Sequence, residues 1–262
     1  MKQIKLHWSR SKPNFGDWLS PAICEAAAKK PVVYSSVKRC DMIAVGSILH
    51  RAKGGLLQCR IHVWGSGFIS KQEKQKSKHY FHAVRGAYTS KLITNHDITI
   101  FGDPGLLAEL LLPNYASHPI KRFTLGLIPH YKDKNSPLIK DIANDLPRTC
   151  IIDVFDDPLA VLKQILQCEF ILSSSMHGLV VADAFGIPNA WIELSCNVRG
   201  GGWKYKDYYS AFGLEGVQPF PISKGIDASG LDQIAKNWQR PNIDQVKKQL
   251  YESFPFPAGR ES

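Results

Sequence analysis

The sequence predicts an α/β fold made of two Rossmann-like halves that face a central cleft, and three observations lead there. Short apolar runs ending in glycine or polar turns alternate with helical stretches, the pattern of right-handed β-α-β units in an open parallel sheet. That alternation pauses once, at Pro113-Asn114-Tyr115-Ala116-Ser117-His118-Pro119, and then resumes. At 262 residues the chain can supply one large unit or two small ones. The expected division is residues 1–117 and 118–262, the second half closing with helices of which the last can return to the first half. No internal repeat is visible.

The elements of the first half follow in order. Ile4-Lys5-Leu6-His7-Trp8 is a candidate strand, and Pro21 suits the first turn of a helix running through Ala26-Ala27-Ala28. Met42-Ile43-Ala44-Val45 is a buried strand ending at Gly46, and Ile61-His62-Val63-Trp64 is another, ending at Gly65-Ser66-Gly67. Phe81-His82-Ala83-Val84 runs into Arg85-Gly86 and then a helix over 89–94. Thr99-Ile100-Phe101 runs into Gly102-Asp103-Pro104-Gly105, and Leu106 to Leu111 reads as helical. In such sheets ligands bind beyond the carboxyl ends of the strands, where several of these glycine turns fall.

In the second half Phe123 to Ile128 is a strand ending at Pro129-His130, and Thr149 to Val154 is the next. A helix starts at Pro158 and runs to Leu166. Phe170-Ile171-Leu172 is a strand ending in a serine run. A helix covers 178–185 with Gly186 at its C-cap, and Ala190 to Glu193 is the next strand. Leu231 to Trp238 and Ile243 to Phe254 are amphipathic terminal helices. Only the last few residues, 256–262, read as disordered.

Composition narrows the partners. With 33 Lys and Arg against 23 Asp and Glu the net charge is +10, which favours an anionic partner. Lys71 to Lys78 is the only dense basic run; it lacks interleaved aromatics and reads as a solvated loop, so nucleic acid is not the expected partner. The six cysteines (Cys24, Cys40, Cys59, Cys150, Cys168, Cys196) are far apart without a C-x-x-C pair, which suggests buried free thiols in a reducing compartment. The first residues carry no apolar signal core, and no segment approaches eighteen apolar residues. A cytoplasmic protein with at most peripheral membrane contact is expected.

The sharpest local pattern is Phe170-Ile171-Leu172-Ser173-Ser174-Ser175-Met176-His177-Gly178. A strand runs through small hydroxyl residues into a helix, so free backbone N–H groups and the positive end of the helix dipole face an anion. His177 adds a group that moves protons near neutral pH. The bland alternative makes Ser175 a helix cap and His177 a satisfied first-turn residue. A nucleophilic serine does not fit, because no glycine stands two residues before any serine here. No further His, Cys or carboxylate stands at ligand spacing around His177, so metal is not expected.

Other candidates stand at strand ends. In Asn14-Phe15-Gly16-Asp17, Asp17 can accept a proton from a hydroxyl, although an Asx-turn or helix cap explains the motif as well. Arg85 can grip a carboxylate or phosphate bidentately, or form a salt bridge. His130 ends a strand in the same manner. Trp64-Gly65-Ser66-Gly67 is not a dinucleotide fingerprint. Gly102-Asp103-Pro104-Gly105 reads first as a tight turn, with Asp103 structural rather than catalytic.

The ordered set of these segments resembles the polysaccharide pyruvyltransferases, in particular the short bacterial exopolysaccharide ketal pyruvyltransferases of xanthan type. The matching pieces are Asn14 to Asp17, Val45 to His50, Val63 to Gly67, Ala83 to Gly86, Gly102 to Leu107, Ile128 to Tyr131, Phe170 to Pro188 and Lys204-Tyr205-Lys206-Asp207-Tyr208-Tyr209. The resemblance implies a fold like the two-Rossmann-domain (GT-B) glycosyltransferases. It implies transfer of the pyruvyl group of phosphoenolpyruvate, a co-substrate in place of any cofactor, onto two hydroxyls of one sugar with release of phosphate. Catalytic roles fall on His177, as the acid or phosphate-side donor, and on Asp17, as the base on the acceptor hydroxyl, with the exchange of the two roles left open. Phosphoenolpyruvate binding falls on Arg85, Ser174, Ser175, Met176, Gly178, His130, Lys204 and Lys206. Many relatives carry Arg where Ser175 stands, so another cation, from Arg85, Lys204, Lys206 or Arg199, must help neutralise the donor. Acceptor contacts are expected from Asn14, Trp64 and Tyr208, with Trp8, Trp203 and Tyr209 as further aromatic surfaces. The acceptor implied is a lipid-linked oligosaccharide at the inner face of the cytoplasmic membrane. The rival readings are a nucleotide-sugar glycosyltransferase of the same architecture, and an inactive binding subunit of polysaccharide assembly.

Overall fold

Two wholly parallel sheets organise the chain; their central strands are apolar and buried, and their edge strands are partly exposed. The computed structural model describes residues 3–52, 59–114, 119–222 and 226–258. Residues 115–118 of the expected linker, the expected boundary at 117/118 and residues 259–262 of the tail lie outside the described residues.

The first sheet has the order β2-β1-β3-β4-β5, formed by β1 (Ile4–His7), β2 (Val32–Tyr34), β3 (Met42–Ile43), β4 (His62–Trp64) and β5 (Tyr80–Ala83). The second has the order β7-β6-β8-β9, formed by β6 (Phe123–Ile128), β7 (Thr149–Ile151), β8 (Cys168–Ser173) and β9 (Asn189–Trp191). The helices are α1 (Phe15–Ala28), α2 (Ala87–Ser90), α3 (Pro137–Asp145), α4 (Pro158–Leu166), α5 (Met176–Ala184), α6 (Trp203–Tyr209), α7 (Ala228–Asn237) and α8 (Ile243–Glu252). A 3₁₀ helix over Pro104–Leu111 is buried through Pro104 to Ala108.

The sequence reading meets this chain unevenly. β6 and α4 occupy the residues expected, because a Pro at the first helical position and an Asp cap (Asp157 Oδ1 accepting from Ala160 N–H at 2.9 Å) mark the start of α4 unambiguously. The same rule fails at Pro21. α1 begins six residues earlier, capped by Asn14, whose Oδ1 accepts from Gly16 N–H at 2.9 Å, and Pro21 lies inside the helix. The buried Phe15, Leu19, Ile23 and Cys24 hold α1 to the core through that proline. The helix expected over 89–94 is the single turn α2, and Thr99 to Phe101 contributes only a bridge between Val84 and Phe101. β2, α3 and α6 were not expected. β2 is a three-residue edge strand, and α6 is rich in aromatics whose ring burial is decided by distant partners.

One hydrophobic cluster spans both halves of the sequence. It joins Leu6, Phe15 and Leu19 to Ile171, Leu179 and Val180, with α1, the 3₁₀ helix, α4 and α5 lying between the sheets. α8 then packs on the first sheet. The Trp64 indole donates to the Leu250 carbonyl at 2.9 Å, the Phe254 ring stands edge-on to it at 4.7 Å, and Lys247 pairs with Glu109. All six thiols are free. Cys24, Cys40 and Cys168 are buried, but Cys59 and Cys196 are exposed, against the expectation of burial, because both lie outside the strands and helices. No helix among the described residues is long and apolar enough to cross a membrane.

Candidate active site

At the carboxyl ends of the strands a cleft of about 230 Å³ draws its walls from both halves of the sequence. Asn14, Asp17, Ser47 and Arg51 come from the first half; His130, Lys132, Ser175, Met176, His177, Arg199 and Lys204 come from the second. Among the described residues lining it are five cations (Lys12, Arg51, Lys132, Arg199, Lys204) and a single carboxylate, Asp17. Such a lining selects an anion.

His177 is the second residue of α5, whose first-turn N–H groups lack intrahelical acceptors. Ser175 occupies the N-cap position but makes no side-chain cap bond, so its hydroxyl stays in the cleft wall. The neighbouring serines are committed elsewhere. Ser173 Oγ accepts from Ser175 N–H at 3.0 Å, and Ser174 Oγ accepts from His130 N–H at 2.9 Å and donates to Asp133 Oδ2 at 3.3 Å. Thus the serine run shapes the turn with two hydroxyls and presents the third.

The imidazole of His177 is packed by glycine. A methyl group on Gly16 would lie 2.0 Å from its Nδ1, and one on Gly46, held at φ +101°, would lie 3.8 Å from Cε1 and 4.0 Å from Nε2. Its Nε2 has no hydrogen-bond partner and stands 3.9 Å from Asp103 Oδ2, which is equally unpartnered; the imidazole is 12% exposed and Asp103 fully buried. Burial first, then the positive Lys204 and Arg85, depress the His177 pKa to about 3, so the resting imidazole is neutral. Burial lifts Asp103 to about 6 against the Gly105 N–H, Arg85 and Gly46 N–H that oppose the rise. The reading of Asp103 as a turn residue holds for one oxygen: Oδ1 caps the 3₁₀ helix through Gly105 N–H at 2.9 Å. The other oxygen aims at His177, which no local motif could reveal.

Asp17, in the first turn of α1, is lifted to about 6 by burial, against the opposing pull of Arg51, Lys204 and the Ser9 hydroxyl. Lys204 is only 8% exposed, and burial followed by Arg85 lowers it to about 8. His130 is lowered to about 4 by burial, Lys204 and Lys132. In the cleft Asp17 is therefore an acid poised near 6, His130 and His177 are neutral imidazoles, and cations stand on both walls.

Several expected site residues stand elsewhere. Arg85 is fully buried with its carboxylate already supplied: its Nε and Nη2 each lie 2.8 Å from Asp207 Oδ2, and Nη2 donates to the Phe68 carbonyl at 2.5 Å. It reaches the cleft only through the floor, where Nη1 donates to Ser47 Oγ and to Met176 Sδ at 3.8 Å. Ser174 is buried behind His130. Gly178 lies against Ser173 and Ile128, and Lys206 is on α6 away from the cleft walls. Trp64 and Tyr208 are core residues, the latter donating to Asp183 Oδ2 at 2.7 Å, and Trp8, Trp203 and Tyr209 do not line the cleft. Rings large enough to stack on a sugar are also large enough to be worth burying: the core took Trp8, Trp64, Tyr208 and Tyr209, Trp203 is half-buried, and Tyr131 is the ring left among the described cleft residues. Arg51, Lys12 and Lys132 were not singled out from the sequence; Arg51 ends a single 3₁₀ turn and the two lysines lie outside the helices and strands, where nothing local distinguishes them from other surface cations. No group of three or more His, Cys, Asp or Glu among the described residues is placed to hold a metal.

This cleft belongs to a known class of protein. The family model for polysaccharide pyruvyl transferases matches residues 3–195, and the chain belongs to that family. Membership makes it a transferase of polysaccharide biosynthesis, with a polysaccharide acceptor as the implied partner. The succinoglycan biosynthesis protein ExoV of Rhizobium meliloti (strain 1021) is 27% identical over 261 residues, covering 93% of this chain and 79% of its own. An uncharacterized protein of Acanthamoeba polyphaga mimivirus is 28% identical over 229 residues, 82% of this chain and 76% of its own. Among solved structures, S. aureus MnaA with UDP aligns at TM-score 0.48 and 13% identity, covering 99% and 93% of the two chains. The wall teichoic acid polymerase TagF with CDPG aligns at TM-score 0.41 and 13% identity, covering 97% and 82%. Both structural likenesses are distant.

Proposed function

We propose that the protein moves the pyruvyl group of phosphoenolpyruvate onto two hydroxyls of one sugar in a polysaccharide precursor, leaving a cyclic ketal and free phosphate. The observation that carries this reading is the single cleft in which a neutral His177 and a raised Asp17 face five cations. The donor has a carboxylate and a phosphate to neutralise, and Arg51, Lys204, Lys132 and Arg199 are available to do so, with the α5 N-terminus beside them. The chemistry calls for no cofactor.

The proton balance assigns roles. His177 takes the proton of the attacking hydroxyl, whose oxygen bonds to C2 of the enol while C3 takes a proton from Asp17 and becomes a methyl group. The C2–O bond to phosphate then breaks, the second hydroxyl closes the ring and returns a proton to Asp17, and the proton held by His177 leaves with the phosphate. The trianionic donor raises both pKa values, strengthening His177 as a base and holding Asp17 protonated as an acid. Asp103 orients and supports the imidazole that becomes charged. The reading includes a GT-B-like arrangement of two Rossmann-like units, residues 1–117 and 118–262, with the reaction between them. A cleft lined from both halves supports it. The acceptor in this reading is a lipid-linked oligosaccharide, met at the inner face of the cytoplasmic membrane by peripheral contact.

Incubation with phosphoenolpyruvate and a set of free and lipid-linked pyranosides tests the proposal. Equal yields of phosphate and ketal are expected by mass spectrometry, and His177→Ala should lower the rate about 10²–10⁴-fold, the usual contribution of one positioned base. Release of no phosphate with any acceptor would sink the reading.

A further inference from the structure

Beside the cleft lies a second, larger depression of about 820 Å³, lined in part by Leu49, His50, Arg60, Phe68, Lys74 and Lys76. The partition between the two is one turn of chain thick. The 3₁₀ turn Leu49–Arg51 and the segment Phe68-Ile69 make it, with Leu49 N–H donating to the Gly67 carbonyl at 3.2 Å. Leu49 and Phe68 face the larger groove, Arg51 and Ile69 face the cleft, and His50 faces both.

The cleft is smaller than the roughly 300–1,000 Å³ of ordinary ligand pockets. A polymeric acceptor must extend beyond a cleft of this size, and the groove is the adjoining depression. Its chemistry is specific. Arg60, Lys74 and Lys76 are exposed, none pairs with a carboxylate among the described residues, and Glu73 is the only acid among the described lining residues. The basic run is the exposed loop expected, and it is pinned along the rim of the groove. Gln75 N–H donates to the Leu92 carbonyl at 2.8 Å, Thr94 N–H donates to the Gln75 carbonyl at 3.0 Å, and Ser77 N–H donates to Asn95 Oδ1 at 2.8 Å. In extended chain Lys74 and Lys76, two residues apart, point the same way. Arg60 is steadied over the Tyr80 ring at 5.7 Å.

We propose that this groove binds an anionic portion of the acceptor, so that the substrate is a charged saccharide rather than a neutral one. The inference rests on the transfer reading above and deepens it. The anionic group is a sugar carboxylate or a lipid-linked diphosphate, and the cations serve both by the same attraction.

Three probes decide it: a neutral oligosaccharide, the same oligosaccharide ending in a uronate, and the same carrying an octyl diphosphate. Titrated against the full-length protein, a charged probe should bind about tenfold more tightly than the neutral one, and added salt should erase the difference. The arm that shows the preference identifies the anion. The variant Lys74→Glu/Lys76→Glu should lose that preference, with an about tenfold higher acceptor KM on the charged probe and unchanged kcat and unchanged KM for phosphoenolpyruvate. Equal binding of all three probes by the unaltered protein overturns the inference, as does an equal loss of kcat on every probe in the variant. Absence of phosphate release with all probes counts against pyruvyl transfer alone, since the titrations still decide what the groove prefers.

Discussion

His177 is a histidine whose chemistry is set by what surrounds it rather than by its neighbours in sequence. Gly16 lets α1 come against the imidazole, Gly46 leaves its other edge open, and Asp103 waits behind Nε2 at 3.9 Å. Of the polar partners found here, Asp17, Asn14, His130 and Ser175 were legible as residues at strand ends or helix starts, and Lys204 only through the family resemblance. Asp103 was legible only as a turn, and Arg51 not at all. The acid's pKa gives a direct test. Asp17 is raised from 3.8 to about 6, so its protonated form persists up to that pH and is lost above it. As the catalytic acid it should make kcat/KM level below pH 6 and falling about tenfold per unit above it, with a further break near 8 as Lys204 loses its charge. In Asp17→Asn the break near 6 should vanish along with about 10²–10⁴-fold of the rate. A pH profile of that variant that keeps the same break removes Asp17 from the role.

At the level of elements, α6 is the clasp of the site. In seven residues it sends Lys204 into the cleft, Tyr205 OH to the Ser174 carbonyl at 2.6 Å, Asp207 to Arg85 and Thr89, and Tyr208 to Asp183. Gly86 is required beneath it, because a methyl there would meet the Asp207 carbonyl at 1.6 Å. The buried Arg85–Asp207 pair explains why Arg85 does not meet the cleft directly: its fork of donors is spent holding α6 and the cleft floor. Asp207→Ala should therefore cost about 3–5 kcal/mol in urea unfolding by stranding a buried cation, whereas Arg85→Met/Asp207→Leu should recover most of that loss. Equal destabilisation in both variants would mean the pair itself, not the stranded charge, carries the stability. None of this was readable locally. The segment 203–209 shows two lysines and one aspartate among aromatics, and the partners that bury Asp207 lie more than a hundred residues away.

Over the whole molecule, the two sheets share one hydrophobic cluster, and α8 returns to cover the first of them through Leu250, Phe254 and Trp64. Leu250 is fully buried, and Leu250→Ala should cost about 2–5 kcal/mol. Calorimetry should record that as a Tm lower by about 2–4 °C per kcal/mol, with unchanged activity at low temperature. A Tm shift near zero would mean that α8 is not part of the cooperative unit. The sequence by itself determined the class of fold, the parallel sheets, β6, α4 and the turn that ends in His177, because apolar period, proline, glycine and capping residues act over a few residues. It also carried the family, through an ordered set of short motifs. Tertiary structure alone decided that α1 continues through Pro21, that Arg85 is a brace instead of a ligand grip, and that the aromatic residues go to the core. It alone set Asp103 behind His177 and placed the basic run beside the cleft. Those outcomes depend on burial and on partners far apart in the chain, and neither burial nor pairing is a property of any short stretch of sequence.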